Sequence, residues 1–474
     1  MIHRIAVSFC MLCGVFAALP VAAQSDGTLD TNFVPSYGYR LIDYSVLDSE
    51  DDTTHAMVVQ PDGRILIAVA YHATHNDPGI IEITRAAPDG GVDPSFLAPP
   101  VQGPQINSGP ASMALQSTGK ILVLGQYFNS NPNDFVVFRY NSDGSPDANW
   151  GNNGRLDVPF TVLPNVNISA ADVVVQSDDK VILTGTASAG AGSAFAAIRL
   201  NANGSVDNSY GSGGQVLITR FGQVENAPPT ELLRHARLTS KGNLILAGWT
   251  EPVTLNGFPP RVTSASVALA KLTATGALDT IFANGGVVIY TVPNTFGAVG
   301  VVGAVDAAVT RNESVYALVG SNVVLRFLSN GGSDFTYGSF GLALFDPIDP
   351  ISMIQTVTYS RSLTVQQDGK VVVAGEADTV NGQHEAMAAR LLISGDPDPS
   401  FGTPNSGTGV FLQSTALASP AWEEADAIAV QYGRVVLGGK ILHISSNVSG
   451  LNYIPIIYRL NGDRIFYDGL EALP

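Results

Sequence analysis

Short apolar runs broken by tight polar turns follow one another along this chain in a fixed order. One apolar stretch leads into a turn that ends in Gly-Lys or a variant of it, and a second apolar stretch follows at once. The first instance reads Val59-Gln60-Pro61-Asp62-Gly63-Arg64-Ile65-Leu66, and the turn returns at Gly119-Lys120, Asp179-Lys180, Gly242-Asn243, Glu313-Ser314, Gly369-Lys370 and Gly433-Arg434. Gly63 and Gly433 lie 370 residues and six intervals apart, a period of about 62. A fixed period of that size implies one supersecondary unit per repeat, because a single unit cannot bury its apolar faces without neighbours.

A second signature, Gly-x-x-Asp-x-x-aromatic, confirms the count. Its aspartates are Asp30, Asp93, Asp147, Asp207, Asp279, Asp334 and Asp398, each followed three residues later by Phe33, Phe96, Trp150, Tyr210, Phe282, Tyr337 or Phe401. Between the two signatures runs a third apolar stretch with a cation near its end: Arg85, Arg139, Arg199, Lys271, Arg326, Arg390 and Arg459. A fourth follows the aromatic, as in Gly286-Val287-Val288-Ile289-Tyr290. Four stretches rich in Val, Ile and aromatics, bounded by Gly, Asp and Asn, predict a four-stranded antiparallel meander per repeat. No long helical period competes.

Meanders stacked radially make a β-propeller, and the alternative is an open solenoid. The chain ends discriminate. The first signature, from Gly27, stands alone before any complete repeat, and the last regular repeat stops at Arg459-Leu460-Asn461-Gly462, where that signature falls due. A closed ring gains from such complementary ends, because pairing them removes two exposed edges. The expectation is an all-β, single closed propeller of seven four-stranded antiparallel blades over residues 24–462. Its last blade is completed by an N-terminal strand at Tyr39 to Tyr44.

Ahead of the ring, Arg4, an apolar run from Ile5 to Leu19 and Val21-Ala22-Ala23 have the order of a secretory signal peptide over residues 1–23, with cleavage before Gln24. The apolar core is short for a membrane span. Cys10 and Cys13 both lie inside it, so the exported chain has no disulfide, thiol nucleophile or thiolate metal site. The expected location is periplasmic or extracellular. Charged residues make up only 14% of the chain. Without Arg4 the balance is 23 basic against 41 acidic residues, or −18. Such a surface repels phosphate backbones and anionic lipid, which argues against nucleic-acid and membrane-surface partners.

The phrase Val-Gln-x-Asp-Gly-Lys before an apolar run, with the later Asn-x-Asp/Asn-Gly-Ser-x-Asp, resembles the delta-60 repeat of bacterial exported proteins. The match is good at Val59 to Leu66, Asn141 to Asp147, Asn201 to Asp207 and Val365 to Gly375, and departs where Thr310-Arg311-Asn312-Glu313 replaces the usual turn. The resemblance covers nearly the whole exported chain and implies a propeller-like repeat protein with no set activity. The tail over residues 463–474 contains Asp468-Gly469-Leu470-Glu471, similar to an Asp-Gly-Phe-Glu ending of some exported proteins, with Leu470 departing from it.

The repeated aspartates suit turn amides better than a metal, one per blade. His72, His75 and Asp77 have ligand chemistry but read as a solvated loop, as do the acidic runs Asp48 to Asp52 and Glu423 to Asp426. Nucleophile-elbow, phosphate-loop and zincin motifs are missing from the sequence. Neither a cofactor nor a metal is expected. In a meander the short first and third turns share one end, so the long, dissimilar connections share the other, where recognition usually resides. Tyr71, His72, His75, Tyr127, Trp249, Glu251, Glu376, Asp378 and Lys440 fall at or just past the second strands on that end, ringing the channel mouth. The leading reading is a monomeric, non-enzymatic binding or scaffold propeller that engages a glycan, peptide or protein through its long-loop face. The alternative is a hydrolase or lyase at the channel mouth, using His72, His75, Glu251 or Glu376.

Overall fold

In the computed structural model the described residues run from 26 to 462, apart from 35–36, 43–52, 72–76, 105–107, 127–133, 164, 191, 220–229, 252, 255–260, 263–265, 292–303, 321, 346–356, 379–381, 403–407, 414–421 and 444–451. Residues 1–23, expected to be an export signal, the tail, and the Asp48 to Asp52 run therefore lie outside them. Among the described residues, the strands form seven four-stranded antiparallel sheets, with one small extra ribbon pairing Val253–Thr254 with Arg261–Val262. The sheets are blades 1 to 7 in chain order. Their innermost strands are Thr53–Val59, Gly109–Leu115, Asn167–Val175, Thr230–Leu238, Ala304–Val309, Val357–Val365 and Glu423–Gln431. Each packs against the next, and the seventh against the first, so the ring is closed. The fold is a seven-bladed β-propeller.

Closure runs through the last blade, as the phase of the chain ends requires. Tyr39–Leu41 pairs antiparallel with the third strand of blade 7 in the register Tyr39 to Tyr458 and Leu41 to Ile456. Upstream, Arg459 donates to Asp30 at 2.9 Å and Asn461 donates to the Thr28 and Leu29 carbonyls. Phe33 fills the apolar interface between blades 7 and 1. The N-terminal segment thereby supplies both an edge strand and a core side chain.

Seven buried apolar clusters occupy the seven inter-blade interfaces. The second strands carry them. Ile65–Tyr71 is buried at every position, because a blade's middle strands are covered by neighbouring blades on both faces. That is why these strands read as continuous apolar runs and not as alternating ones.

The short-turn end repeats one polar module in each blade. The signature Asp accepts the amide two residues on, as in Asn149 N–H to Asp147 at 3.1 Å. Its other oxygen meets the third-strand cation: Arg139 Nε to Asp147 at 2.8 Å, Arg199 to Asp207 at 2.9 Å, Arg390 to Asp398 at 2.8 Å. The guanidinium then lies over the signature aromatic, Arg139 being 4.0 Å from the Trp150 ring centre. Its remaining nitrogens reach forward to the next blade's backbone, from Arg139 to the Ala202 carbonyl and from Arg85 to the Ser142 carbonyl. The turn-acceptor role expected of the aspartates is thus observed, and the cations join blade to blade.

Two turns show what happens when the module varies. The turn position is left-handed in all seven blades, with Gly in five of them and Asp179 (φ 62°) and Glu313 (φ 65°) in the others. Such a φ costs a non-glycine residue about 1 kcal/mol. Both side chains bond back to the preceding blade: Asp179 accepts from the Ser117 amide, and Glu313 accepts from Lys271 at 3.1 Å. Lys271 lacks the guanidinium fork that its six counterparts use to reach a second partner. Glu313 supplies that link from the other side.

Candidate functional site

The channel runs down the ring axis, with a volume of about 1110 Å³, and its walls are the inner strands. Successive residues of a strand point to opposite faces. Each inner strand breaks that rule once, by a β-bulge at the same repeat position, between Ala170 and Asp172, Leu233 and His235, Ser360 and Ser362, or Ala425 and Ala427, with equivalents in the other three blades. A bulge sets two residues against one partner. As a result both Arg361 and Ser362, or Asp426 and Ala427, line the channel.

Opposite the bulge the second strand comes very close. A Cβ on Gly375 would lie 2.3 Å from the Tyr359 carbonyl oxygen, and one on Gly439 only 1.7 Å from that of Glu424. Only glycine fits there. The residues that follow these glycines and Gly248, namely Glu376, Lys440 and Trp249, stand at the channel's long-loop end, and Lys440 and Trp249 line it.

Midway along the channel a charged network crosses blades 2 to 6. The buried Asp172 accepts from Ser112 of blade 2, from the Ala236 amide of blade 4 at 3.1 Å and from Arg237 at 2.6 Å. Arg237 also donates to Asp306 of blade 5 at 2.9 Å, and Asp306 accepts Ser362 and the Leu363 amide of blade 6, both at 2.8 Å. His235 Nδ1 lies 3.6 and 3.4 Å from the same two aspartates. Burial pushes the Asp172 pKa up, but Arg237 and His235 outweigh it and hold the carboxyl down at about 2.

At the long-loop end, between blades 6 and 7, the balance reverses. Arg361 Nη2 lies 3.2 Å from Glu376 and 3.4 Å from Glu424, with its Nε 4.0 Å from Asp426. Lys440 stands 3.5 Å from Glu424, and the Trp422 indole N–H donates to Glu424 at 2.7 Å. His384 is 2.6 Å from Asp378 and stacks on Trp422 with centroids 3.9 Å apart. Glu376 Oε2 and Asp426 Oδ2 are buried with no hydrogen-bond donor. Burial, then repulsion from Glu424, pushes Glu376 up to about 7 against the pull of Arg361. The same two causes raise Asp426 to about 6. Carboxyls raised toward neutrality and buried acceptor oxygens without donors thus coincide in this cluster.

Of the residues expected at this end, Glu376 and Asp378 belong to the cluster, and Trp249 faces the channel from blade 4. Tyr71 is buried at the end of its strand, with its hydroxyl on Glu82. Glu251 ends the second strand of blade 4, and nothing is described of its side chain. His72, His75 and Tyr127 lie outside the described residues. The run Glu423 to Asp426 corrects a sequence expectation. It is the start of the innermost strand of blade 7, with Glu423 fully buried and accepting the Tyr458 hydroxyl at 2.6 Å. Arg361, His384, Asp172, His235, Arg237 and Asp306 were not singled out from the sequence at all. The usable signal was the glycine inside the second apolar run of five of the seven blades, as in Ala374-Gly375-Glu376 and Gly438-Gly439-Lys440. Among the described residues, no three His, Cys, Asp or Glu side chains are placed to hold a metal ion. Nor is there a helix long and apolar enough to cross a membrane.

Four segments, residues 60–96, 116–149, 176–210 and 366–401, match a family model described as "Domain of unknown function (DUF5122) beta-propeller". No curated protein matches the chain. Similar solved structures include the polysaccharide lyase Uly1 (9% identity, TM-score 0.46, covering 92% of this chain and 96% of that one). A PL25 ulvan lyase reaches 12% identity and a TM-score of 0.47 (89% and 96%), and YCF48 bound to a D1 peptide reaches 11% and 0.41 (93% and 100%). Likenesses this distant say nothing about chemistry. The seven closed blades and the four matched segments together make this chain a β-propeller repeat protein.

Proposed function

We propose that the protein is an exported, non-enzymatic binding or scaffold propeller, working in the periplasm or outside the cell. Its ligand, a glycan, a peptide or a protein of the envelope, enters at the long-loop end of the channel. The observation that carries this reading is the contrast between the two ends. The short-turn end repeats one module in which each signature aspartate meets a cation and an amide, with a donorless carboxylate oxygen at Glu313, whereas at the other end Glu376 and Asp426 of one cluster each keep such an oxygen beside the channel. Unmet acceptors on a rigid rim gain from a ligand what a structural site has already satisfied. Screening the mature protein on glycan and peptide arrays tests the reading. A ligand whose binding is lost in Trp249→Ala, with the melting temperature little changed, supports it; a silent array, or binding indifferent to channel-mouth variants, overturns it.

Hydrolase or lyase chemistry is the second reading, and Glu376 near 7 is the observation on its side, since an acid–base group works best with a pKa near the ambient pH. New reducing ends or unsaturated products from a polysaccharide panel, abolished in Glu376→Gln, would establish it.

A further inference from the structure

Resting on that binding reading, we propose that the mouth between blades 6 and 7 receives a primary ammonium group, carried by a lysine side chain or an amino sugar, against Glu376, Glu424 and Asp426. The charge count comes first. Glu376, Asp378, Glu424 and Asp426 face two permanent cations, Arg361 and Lys440, so these six groups carry −2 when all four carboxyls are ionised. An unmatched pair of negative charges, partly withdrawn from water, is a binding potential for a cation.

Hydrogen bonding comes second. Glu376 is nine-tenths buried, and its Oε2 has no donor, nor has Asp426 Oδ2. Arg361 reaches Glu376, Glu424 and Asp426 within 4.0 Å, so the three carboxyls gather around its guanidinium, and the donorless oxygens of Glu376 and Asp426 are the ones Arg361 does not take. Glu424 and Asp426 open directly onto the channel. An ammonium carries three donors that radiate to acceptors on different side chains, whereas a guanidinium presents a flat fork suited to one carboxylate. The vacant acceptors sit on two different residues, which suits the ammonium. An anionic ligand is disfavoured, because Arg361 and Lys440 are already committed to carboxylates.

The groups that face Glu376 come from every neighbouring strand: Arg361 from the inner strand of blade 6, Asp378 from its own strand, His384 from the third, and Glu424 and Asp426 from blade 7. Protonation of Glu376 or Asp426 removes the charge that attracts the ligand. Binding therefore strengthens as pH rises through 6 to 7, and at pH 6.5 it releases protons.

Calorimetric titration of the mature protein tests this with paired probes. One pair is an end-capped Gly-Lys-Gly peptide and its Nε-acetyl form, and the other is triglucosamine and tri-N-acetylglucosamine. The expected result is binding of at least one amine probe, tenfold or more tighter at pH 7 than at pH 5, with proton release at pH 6.5 and no binding of its acetylated counterpart. The peptide and sugar pairs distinguish the two sources. Glu376→Gln and Asp426→Asn, which keep shape and remove charge, should each weaken binding at least tenfold at pH 7 while melting at or above the wild-type temperature. An acetylated probe binding as well as its amine, silence from both amines, or unchanged affinity in both variants overturns the proposal. If a neutral or anionic array ligand then binds in a Trp249-dependent way, the channel-mouth reading survives and only the ammonium assignment falls. If the array is silent too, both fall.

Discussion

The two ends of this propeller are made from the same four-stranded blades and treat carboxylates in opposite ways. At the short-turn end each aspartate sits between a turn amide and a cation that lies on an aromatic ring and, in most blades, reaches the next blade. The Ser95 hydroxyl, then the Ser95 amide and Arg85, hold Asp93 down at about 2. Asp207 is held low by Ser209 first and then by Lys180 and Arg199. At the long-loop end Glu376 and Asp426 are pushed up by burial and by Glu424. The signature aspartates are met by partners on both oxygens, whereas Glu376 and Asp426 each keep one buried oxygen without a donor.

Deleting residues 26–44 should have the largest effect. The segment carries the edge strand of blade 7, Asp30 as the partner of Arg459, and the buried Phe33. Its loss should cost several kcal/mol, comparable with the stability of a whole domain, and should leave a pairing edge free. Thermal melting with size-exclusion chromatography checks this. An unchanged midpoint with no new oligomers would show that closure contributes little.

Next comes the repeated module. Asp147→Ala leaves the buried Arg139 without its carboxylate and frees Lys120, both of which lie 2.8 Å from it. Breaking a buried pair from one side should cost about 3 kcal/mol, read as the shift in a denaturation midpoint. Ligand binding by the folded fraction should persist.

The pH dependence should separate the ends by sign. Asp93, Asp147, Asp207, Asp334 and Asp398 lie below their ordinary range. Their stabilisation is complete above about pH 4 and is lost as pH falls below that. Glu376, raised from 4.5 to about 7, works the other way: its contribution is complete below pH 4.5 and is lost as pH rises through 7. Glu376→Gln should therefore stabilise the protein at pH 8 by about 1 to 2 kcal/mol and make no difference near pH 4. Melting curves across pH 3 to 8 check both limbs. A destabilised Glu376→Gln at pH 8 would make its Arg361 contact a structural pair like those of the other end.

The smallest effect on stability is expected for Trp249→Ala. The side chain is half-buried on the channel wall, so its loss should change stability by about 1 kcal/mol while removing ligand binding. A large drop in melting temperature would move Trp249 from the rim to the core.

Much of the fold was legible because its information is local and repeated. Each of blades 1 to 6 carries its own turn, its own Asp-x-x-aromatic and its own third-strand cation within about 60 residues, and blade 7 takes only its Asp-x-x-aromatic from the other end of the chain. The four segments that match the family model include the stretches in blades 1, 2, 3 and 6 where the repeat phrase is strongest. The site was legible in part. Glu376, Asp378 and Trp249 follow from strand ends, but Glu423 to Asp426 misled, since a cluster of charges looks like a solvated loop unless its partners are known. Those partners are Tyr458, Trp422, Lys440 and Arg361, the last of them 63 residues away from Glu424.

The sequence by itself determined the number of blades, their strands, the polar module that joins them and the complementary ends that close the ring. Each of these is written in residues near one another in the chain, or in the phase of a repeat. Only the tertiary structure decided which charges meet. The bulge that turns Arg361 and Asp426 into the channel is a register shift between strands, and the carboxylates around Arg361 come from two blades. Burial and proximity set their charge states, and neither property belongs to any one segment of the chain.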